Sequence, residues 1–199
     1  MALPSTGSIS MSQINTELGR SSTAQISLDS AENGSYASIN QCANSVPSST
    51  NPAAMSEWRG YAQNANCPQI YVTQNQDNGD SNIRLYIYDR NGNAVLSDYW
   101  IWDNFFTSNL ASYLGITIGG GYTVQMYTYN WSGSTWTTTG IYAYFYNSTT
   151  STYLNSGCGC GNGENGPWNV VVQASNNYSM YAYGFYNPNG NPFGCCCFC

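Results

Sequence analysis

The segment Ile141-Tyr-Ala-Tyr-Phe-Tyr146 alternates with a period of two, and no other feature limits the fold as much. In an extended strand this period puts Ile141, Ala143 and Phe145 on one side and Tyr142, Tyr144 and Tyr146 on the other. Ile83-Arg-Leu-Tyr-Ile-Tyr88, Tyr122-Thr-Val-Gln-Met-Tyr-Thr-Tyr129 and Met180-Tyr-Ala-Tyr-Gly-Phe185 repeat the alternation, and Val170-Val-Val172 reads as a buried central strand. Turn residues separate the runs: Gly119-Gly-Gly121, Ser132-Gly133, Asn187-Pro-Asn-Gly190, and Asp89-Arg-Asn-Gly-Asn93, an Asn-Gly hairpin turn leading into Ala94-Val-Leu96. About seven to nine short strands with regular turns and no crossover helix predict an antiparallel sandwich or barrel. The expected fold is mainly β, a small N-terminal helical module (residues 1–66) followed by an antiparallel β-sandwich of jelly-roll or Ig-like type (residues 67–199).

The first 66 residues differ in texture. They hold only Tyr36 and Tyr61 of the chain's 18 Tyr, and their apolar residues sit at helical spacing. Ser10-Met-Ser-Gln13 is a capping-box pattern leading into Ile14, Glu17 and Leu18, with Gly19 as a stop. Ile26 to Glu32 offers a second capped helix ending near Asn33-Gly34, and Pro52 to Trp58 a third. Ile9-Ser-Met-Ser-Gln13, Ile26-Ser-Leu-Asp29 and Ala54-Met-Ser-Glu57 form a degenerate repeat of an apolar residue, a small hydroxyl and an acid or amide. Three short helices bury little area alone, so this module is expected to dock onto another body.

Charge is scarce. Only 7% of residues are charged, against about 25% in ordinary soluble domains. All four basic residues are Arg, there is no His, and ten acids give a net charge of −6. With no basic patch to meet phosphates, nucleic-acid binding is excluded, and no apolar run is long enough to span a membrane. The missing His and Lys remove the commonest general base and every Schiff-base route, so an enzyme is not expected. From Asn104 to Cys199 the only charged side chain is Glu164. Such a surface is expected to be covered, by sister subunits or a ligand; solvation by the abundant Asn, Ser and Thr is the plain alternative. The rows of Tyr point the same way, because a phenol buries a large ring and keeps a hydroxyl for hydrogen bonding. Tyr142, Tyr144, Tyr146, Tyr127, Tyr129, Trp131, Tyr181 and Tyr183 are the expected interface, or a platform for sugar rings; simple β-propensity is the competing explanation.

Eight Cys are present. Cys42 and Cys67 bracket a Ser/Pro/Asn-rich stretch and can pair, closing a loop worth about 3 kcal/mol. Cys158, Cys160, Cys195, Cys196, Cys197 and Cys199 form a C-x-C and a terminal C-C-C-x-C, read as disulfides within or between subunits, as a thiolate zinc site, or as free thiols. Asp77 and Asp80 lie in an oxygen-rich loop that can hold Ca²⁺ or can be simply a turn. Asp98 and Asp103 flank aromatics as in a glycosidase cleft, but residues five apart on one strand face opposite ways. Asn130 and Asn147 head glycosylation sequons.

The N-terminus carries neither a basic region nor an apolar one, so no secretory signal peptide is expected. Leu3-Pro-Ser-Thr-Gly-Ser-Ile-Ser-Met-Ser-Gln-Ile-Asn-Thr-Glu-Leu-Gly19, then Ala24-Gln-Ile-Ser-Leu28 and Met55-Ser-Glu-Trp-Arg-Gly-Tyr61, resembles a module of tailed-bacteriophage virion structural proteins, tail-fibre-like or tail-associated. The resemblance covers about residues 1–61. It implies a virion subunit, made in the host cytoplasm and released by lysis, anchored to other virion proteins through its N-terminal module. The expected protein is a homo-oligomer, a trimer among the options, with host-surface glycan binding as a further role. The competing readings are an extracellular, disulfide-stabilised lectin-like module and a non-viral filament subunit.

Overall fold

The capping box at Ser10 forms as its spacing predicts. The Ser10 hydroxyl accepts the Gln13 backbone N–H at 3.2 Å while Gln13 Oε1 accepts the Ser10 N–H at 2.8 Å, starting α1 (Met11–Glu17). Ser27 caps α2 (Leu28–Glu32) through the Ser30 N–H at 3.4 Å, while its own N–H donates to Tyr36 Oη at 3.2 Å. The third element is shorter than predicted, a 3₁₀ turn over Met55–Trp58 whose cap position, Ala54, has no side-chain oxygen to offer. The structure, a computed structural model, describes residues 2–49, 52–76, 80–101, 109–131, 139–160 and 163–186. The chain divides into two compact units.

The first unit comprises Met1–Pro68 with the short segments Thr117–Gly121 and Gln173–Ser175. With little regular structure, it is held by a small core and many side-chain bonds to backbone. Ile14, Ala31, Ala43, Trp58 and Tyr61 are fully buried, and Trp58 packs edge-on against Tyr61 at 5.3 Å. Asn40 donates through Nδ2 to the carbonyls of Gln63 and Ala65, and its N–H donates to Tyr61 Oη at 2.8 Å. Glu17 accepts the Gln63 N–H at 2.8 Å. The disulfide expected between Cys42 and Cys67 is present. Its reduction is expected to lower the stability of this unit by about 3 kcal/mol, because the open chain regains loop entropy. Denaturant titration with and without reductant measures this, and coincident transitions would refute it.

Glu32 and Glu17 are the buried acids described in this unit, and Glu32 accepts Trp58 Nε1–H at 3.1 Å. Burial raises its pKa above the ordinary 4.5, Glu57 and Asp29 add to the rise, and the Trp58 hydrogen bond works against it. A raised carboxyl pKa means that ionisation opposes folding. The penalty is full above the folded-state pKa, shrinks as pH falls through it, and is absent below 4.5. Glu32→Gln keeps an acceptor for Trp58 and removes the charge. It is expected to raise the thermal midpoint slightly at pH 7 and to flatten the pH dependence above 4.5; a lower midpoint at pH 7 would show that the ionised form is stabilising.

The second unit is β. Its strands are β1 (Gln69–Gln76), β2 (Asp80–Tyr88), β3 (Ala94–Ile101), β4 (Thr123–Trp131), β5 (Thr139–Asn147), β6 (Thr152–Cys160), β7 (Gly163–Val171) and β8 (Asn177–Tyr186), with a short helix, α3 (Leu110–Leu114), between β3 and β4. They form two four-stranded sheets, β1-β8-β5-β6 and β3-β2-β4-β7. The apolar halves of the alternating strands are buried: Ile70, Val72, Ala143, Phe145, Met180 and Ala182 in the first sheet, and Ile83, Leu85, Ile87, Val124, Met126 and Val170 in the second. The fold is mainly β and sandwich-like, as expected, with antiparallel pairing throughout except between β1 and β8.

Three details differ from the sequence reading. β1 and β8 pair in parallel, which needs no crossover helix because the chain between them builds the other six strands. With strands lettered in chain order, the sheets read A-H-E-F and C-B-D-G, which is not the ABED/CFG arrangement of an Ig domain. The Val170–Val172 run lies not in a central strand but at the end of β7 and just beyond it, at the edge of its sheet, where Val170 and Val172 are buried and Val171 is 53% exposed. The predicted hairpin turn joins β2 to β3. Asp89 organises it, its carboxylate accepting the N–H groups of Asn91 and Asn93 at 2.8 Å each, and Gly92 takes the positive φ (+82°) that the turn requires.

Candidate functional site

The two sheets carry aromatic outer faces of opposite electrostatic character. The strands β1, β5, β6 and β8 contain no charged residue at all. On their outer face Tyr144 is the hub. It stacks on Tyr181 of β8 with centroids 5.1 Å apart and planes 12° from parallel, meets Tyr153 of β6 edge-on at 5.4 Å, and lies 5.6 Å from Tyr142. Tyr146 lies 5.0 Å from Tyr153. The register accounts for the stack, since Tyr144 pairs directly with Tyr181 across the ladder and cross-strand rings on one face come into contact. Partial burial, reinforced by the neighbouring phenols, pushes the Tyr144 hydroxyl above its ordinary pKa. Tyr144, the hub of the face, therefore stays neutral at physiological pH.

Tyr153, 63% exposed, reaches the cluster through an irregularity. Phe145 pairs with Asn155, but Tyr146 pairs with Tyr153 rather than Leu154. The extra residue on β6 shifts the parity of its side chains, so that Tyr153 joins the phenol face.

The outer face of the other sheet is built around Arg84. Its Nε donates to Asp98 at 2.6 Å and its Nη1 to Glu164 at 2.7 Å, so the only charged residue of the sequence after Asp103 is engaged here. These two bonds, Asp98 first, hold the guanidinium pKa above its ordinary value. Arg84 also lies over the rings of Tyr86 at 5.1 Å and Trp100 at 5.5 Å. Tyr127 meets Tyr86 edge-on at 5.6 Å, and Tyr129 meets Trp100 at 5.8 Å. Asp98 Oδ1 accepts Trp100 Nε1–H at 2.9 Å as well. Asp98 sits where the β2–β3 register slips, with φ +54°. Left-handed backbone costs a non-glycine residue about 1–2 kcal/mol, Asp being among the more tolerant. Exposed ion pairs contribute about 0–1 kcal/mol, so the Arg84–Asp98 pair by itself offsets at most part of that cost.

The eight aromatic residues predicted as one site are thus divided. Tyr142, Tyr144, Tyr146 and Tyr181 share the charge-free face, whereas Tyr127 and Tyr129 belong to the Arg84 face. Tyr183 is opposite Tyr142 and Trp131 opposite Asp80 in the ladders, but their side chains, with those of Asp80, Cys158 and Cys160, lie outside the described residues, as do Asp77, Asp103, Cys195, Cys196, Cys197 and Cys199 altogether. Asn147 is buried, its Oδ1 accepting the N–H groups of Thr149 and Thr150 in the β5–β6 turn, so it is a structural residue rather than a glycan acceptor. Among the described residues no group of three His, Cys, Asp or Glu is placed to hold a metal ion. Sequence reasoning missed Tyr153, Trp100 and the whole Arg84–Asp98–Glu164 cluster. No family model matches the chain, and neither the curated proteins nor the solved structures include a significant match.

Proposed function

We propose that this chain is a non-catalytic structural subunit of a virion, anchored to other virion proteins by its N-terminal module and self-associating through the tyrosine face of β5, β6 and β8. The observation that carries the reading is the contiguous phenol cluster around Tyr144 on a sheet without a charged residue. A second copy is the occupant that fits it. Each chain carries a net charge of −6, so two copies repel except through a face where neither presents charge. Tyrosine-rich, charge-depleted surfaces are also the composition of interface centres. The virion assignment rests on the resemblance of residues 1–61, and the face is what supports a homo-oligomer, a trimer among the options. Size-exclusion chromatography with light scattering on the full chain at micromolar concentration is expected to show a discrete oligomer. A monodisperse monomer would overturn self-association, and absence of the chain from purified particles would overturn the virion assignment.

A further inference from the structure

We infer that Tyr144 and Tyr181 form a site of oxidative coupling, at which a one-electron oxidant joins the two phenols into a dityrosine that ties β5 to β8 within one chain.

The ladder places the pair for this reaction. Tyr144 and Tyr181 are direct partners in the antiparallel β5–β8 register, so the backbone holds them opposite each other. Their rings lie 12° from parallel with centroids 5.1 Å apart. Nearly parallel rings at that separation form an offset stack, the edge of one over the edge of the other, with nearest carbons about 3.5–4.0 Å apart. Two phenoxyl radicals couple through the carbons ortho to oxygen, the Cε atoms. The stack brings two such ring edges into contact before any oxidation occurs, which turns an encounter between radicals into a step within one chain.

The neighbouring contacts are less suited to coupling. Tyr153 meets Tyr144 at 70°, and the Tyr142–Tyr144 and Tyr146–Tyr153 pairs are tilted by 51° and 56°. A ring standing edge-on aims a C–H at its neighbour's face and does not set two ortho carbons side by side. These rings serve instead as the way in. Tyr153, 63% exposed, is the ring of the cluster open to an oxidant, and its edge-on contact with Tyr144 at 5.4 Å passes the electron hole inward to the stacked pair.

The reaction balances with hydrogen peroxide, turned over by a haem peroxidase, as the oxidant. Each phenol gives up one electron, and its Oη proton passes to water. The two Cε carbons then bond, and the hydrogen displaced from each returns to the oxygen of its own ring as aromaticity is restored. The pair has lost two electrons and two protons, which the peroxide takes up to leave as two waters.

Such a bond gives the β unit a covalent tie. The chain has no Lys for a side-chain amide cross-link, and the disulfide between Cys42 and Cys67 lies in the first unit. A carbon–carbon bond from Tyr144 to Tyr181 closes the loop that runs through β6 and β7, and takes that loop's entropy from the unfolded chain.

The coupling occurs within one chain and does not rest on self-association. The test treats the full chain with a haem peroxidase and equimolar hydrogen peroxide, over a dilution series running downward from the micromolar range. Tandem mass spectrometry of the digest then maps the linked tyrosines. The fluorescence of dityrosine is expected to appear, with Tyr144–Tyr181 as the principal linkage in material that still migrates as a single chain on a denaturing gel. Its share is expected to hold on dilution, whereas coupling between chains falls. Tyr181→Phe keeps the ring and removes the phenol, so it is expected to abolish this linkage and most of the fluorescence, with the circular dichroism unchanged. Absence of dityrosine, a principal linkage elsewhere, or fluorescence that survives Tyr181→Phe would each overturn the inference. Light scattering on the untreated chain tests self-association separately, and the failure of either reading leaves the other standing.

Discussion

Replacing Trp58 with alanine is expected to unfold the N-terminal unit. Trp58 is fully buried at the centre of a core with few other large side chains. Emptying such a site costs about 3–5 kcal/mol in transfer and cavity terms. The substitution also takes the indole N–H from Glu32, leaving a buried carboxylate without that donor, for a further cost of about 1–3 kcal/mol. The sum rivals the entire stability of a typical domain, about 5–15 kcal/mol, and this unit has few helical hydrogen bonds to fall back on. Amide exchange across residues 2–49 is the suitable measurement, since the β unit supplies an internal control. Collapse of protection in the first unit with the β strands still protected is expected, and unchanged protection around α1 and α2 would show that the core does not depend on the indole. Trp58→Phe separates the contributions: it restores most of the volume, so the loss that remains reports chiefly on the missing N–H.

Local signals were legible in the sequence where neighbouring residues settle the geometry among themselves. The Ser10–Gln13 box, the Ser27 cap and the Asp89–Asn93 turn all involve partners within a few residues, and each forms as its spacing implies. The alternating strands β2, β4, β5 and β8 were legible because one face of each is buried, which fixes the period. Strand β6 and the first part of β7 were hidden for identifiable reasons. β7 contains Gly166-Pro167, which demotes any strand reading, and β6 is rich in Gly and Ser. Gly157 is required there, since a Cβ would come within 3.3 Å of Trp168 Cε2, so the residue that obscures the strand is the one that lets the indole lie against it. Val170–Val172 was misread because three β-branched residues in a row suggest burial on both faces, whereas an edge strand can leave its middle valine to solvent.

The candidate sites depended on long-range register, and composition alone could not sort them. Arg84, Asp98 and Glu164 come from β2, β3 and β7, and nothing local links them. One signal was available: Glu164 is alone in a long uncharged stretch, and a lone acid in such surroundings calls for a cation, of which the chain has only four. The division of the tyrosines between two sheets followed from strand order, and the recruitment of Tyr153 from a single-residue slip, neither of which leaves a trace in hydropathy.

Tyr144→Lys is expected to convert the oligomer to monomer while leaving the β unit folded. Within one chain the substitution removes three ring contacts from a half-buried position, on the order of 1–2 kcal/mol, and the lysine stem can lie along the sheet with its ammonium in water. That is tolerable for a unit whose core residues Phe145, Met180 and Ala143 are untouched on the opposite side of the same strands. Between chains the consequence is much larger. An ammonium at the centre of the face must be desolvated on association, and no carboxylate on β1, β5, β6 or β8 is there to receive it. An unpaired charge buried this way costs several kcal/mol, and each 1.4 kcal/mol is about tenfold in dissociation constant, so weakening beyond a hundredfold is expected. Tyr144→Phe keeps the ring and removes only the hydroxyl, so it is expected to preserve assembly. Light scattering on the two variants, with circular dichroism to verify folding, gives the answer: a folded Tyr144→Lys chain that still elutes as the wild-type oligomer would place the subunit contact away from the tyrosine face.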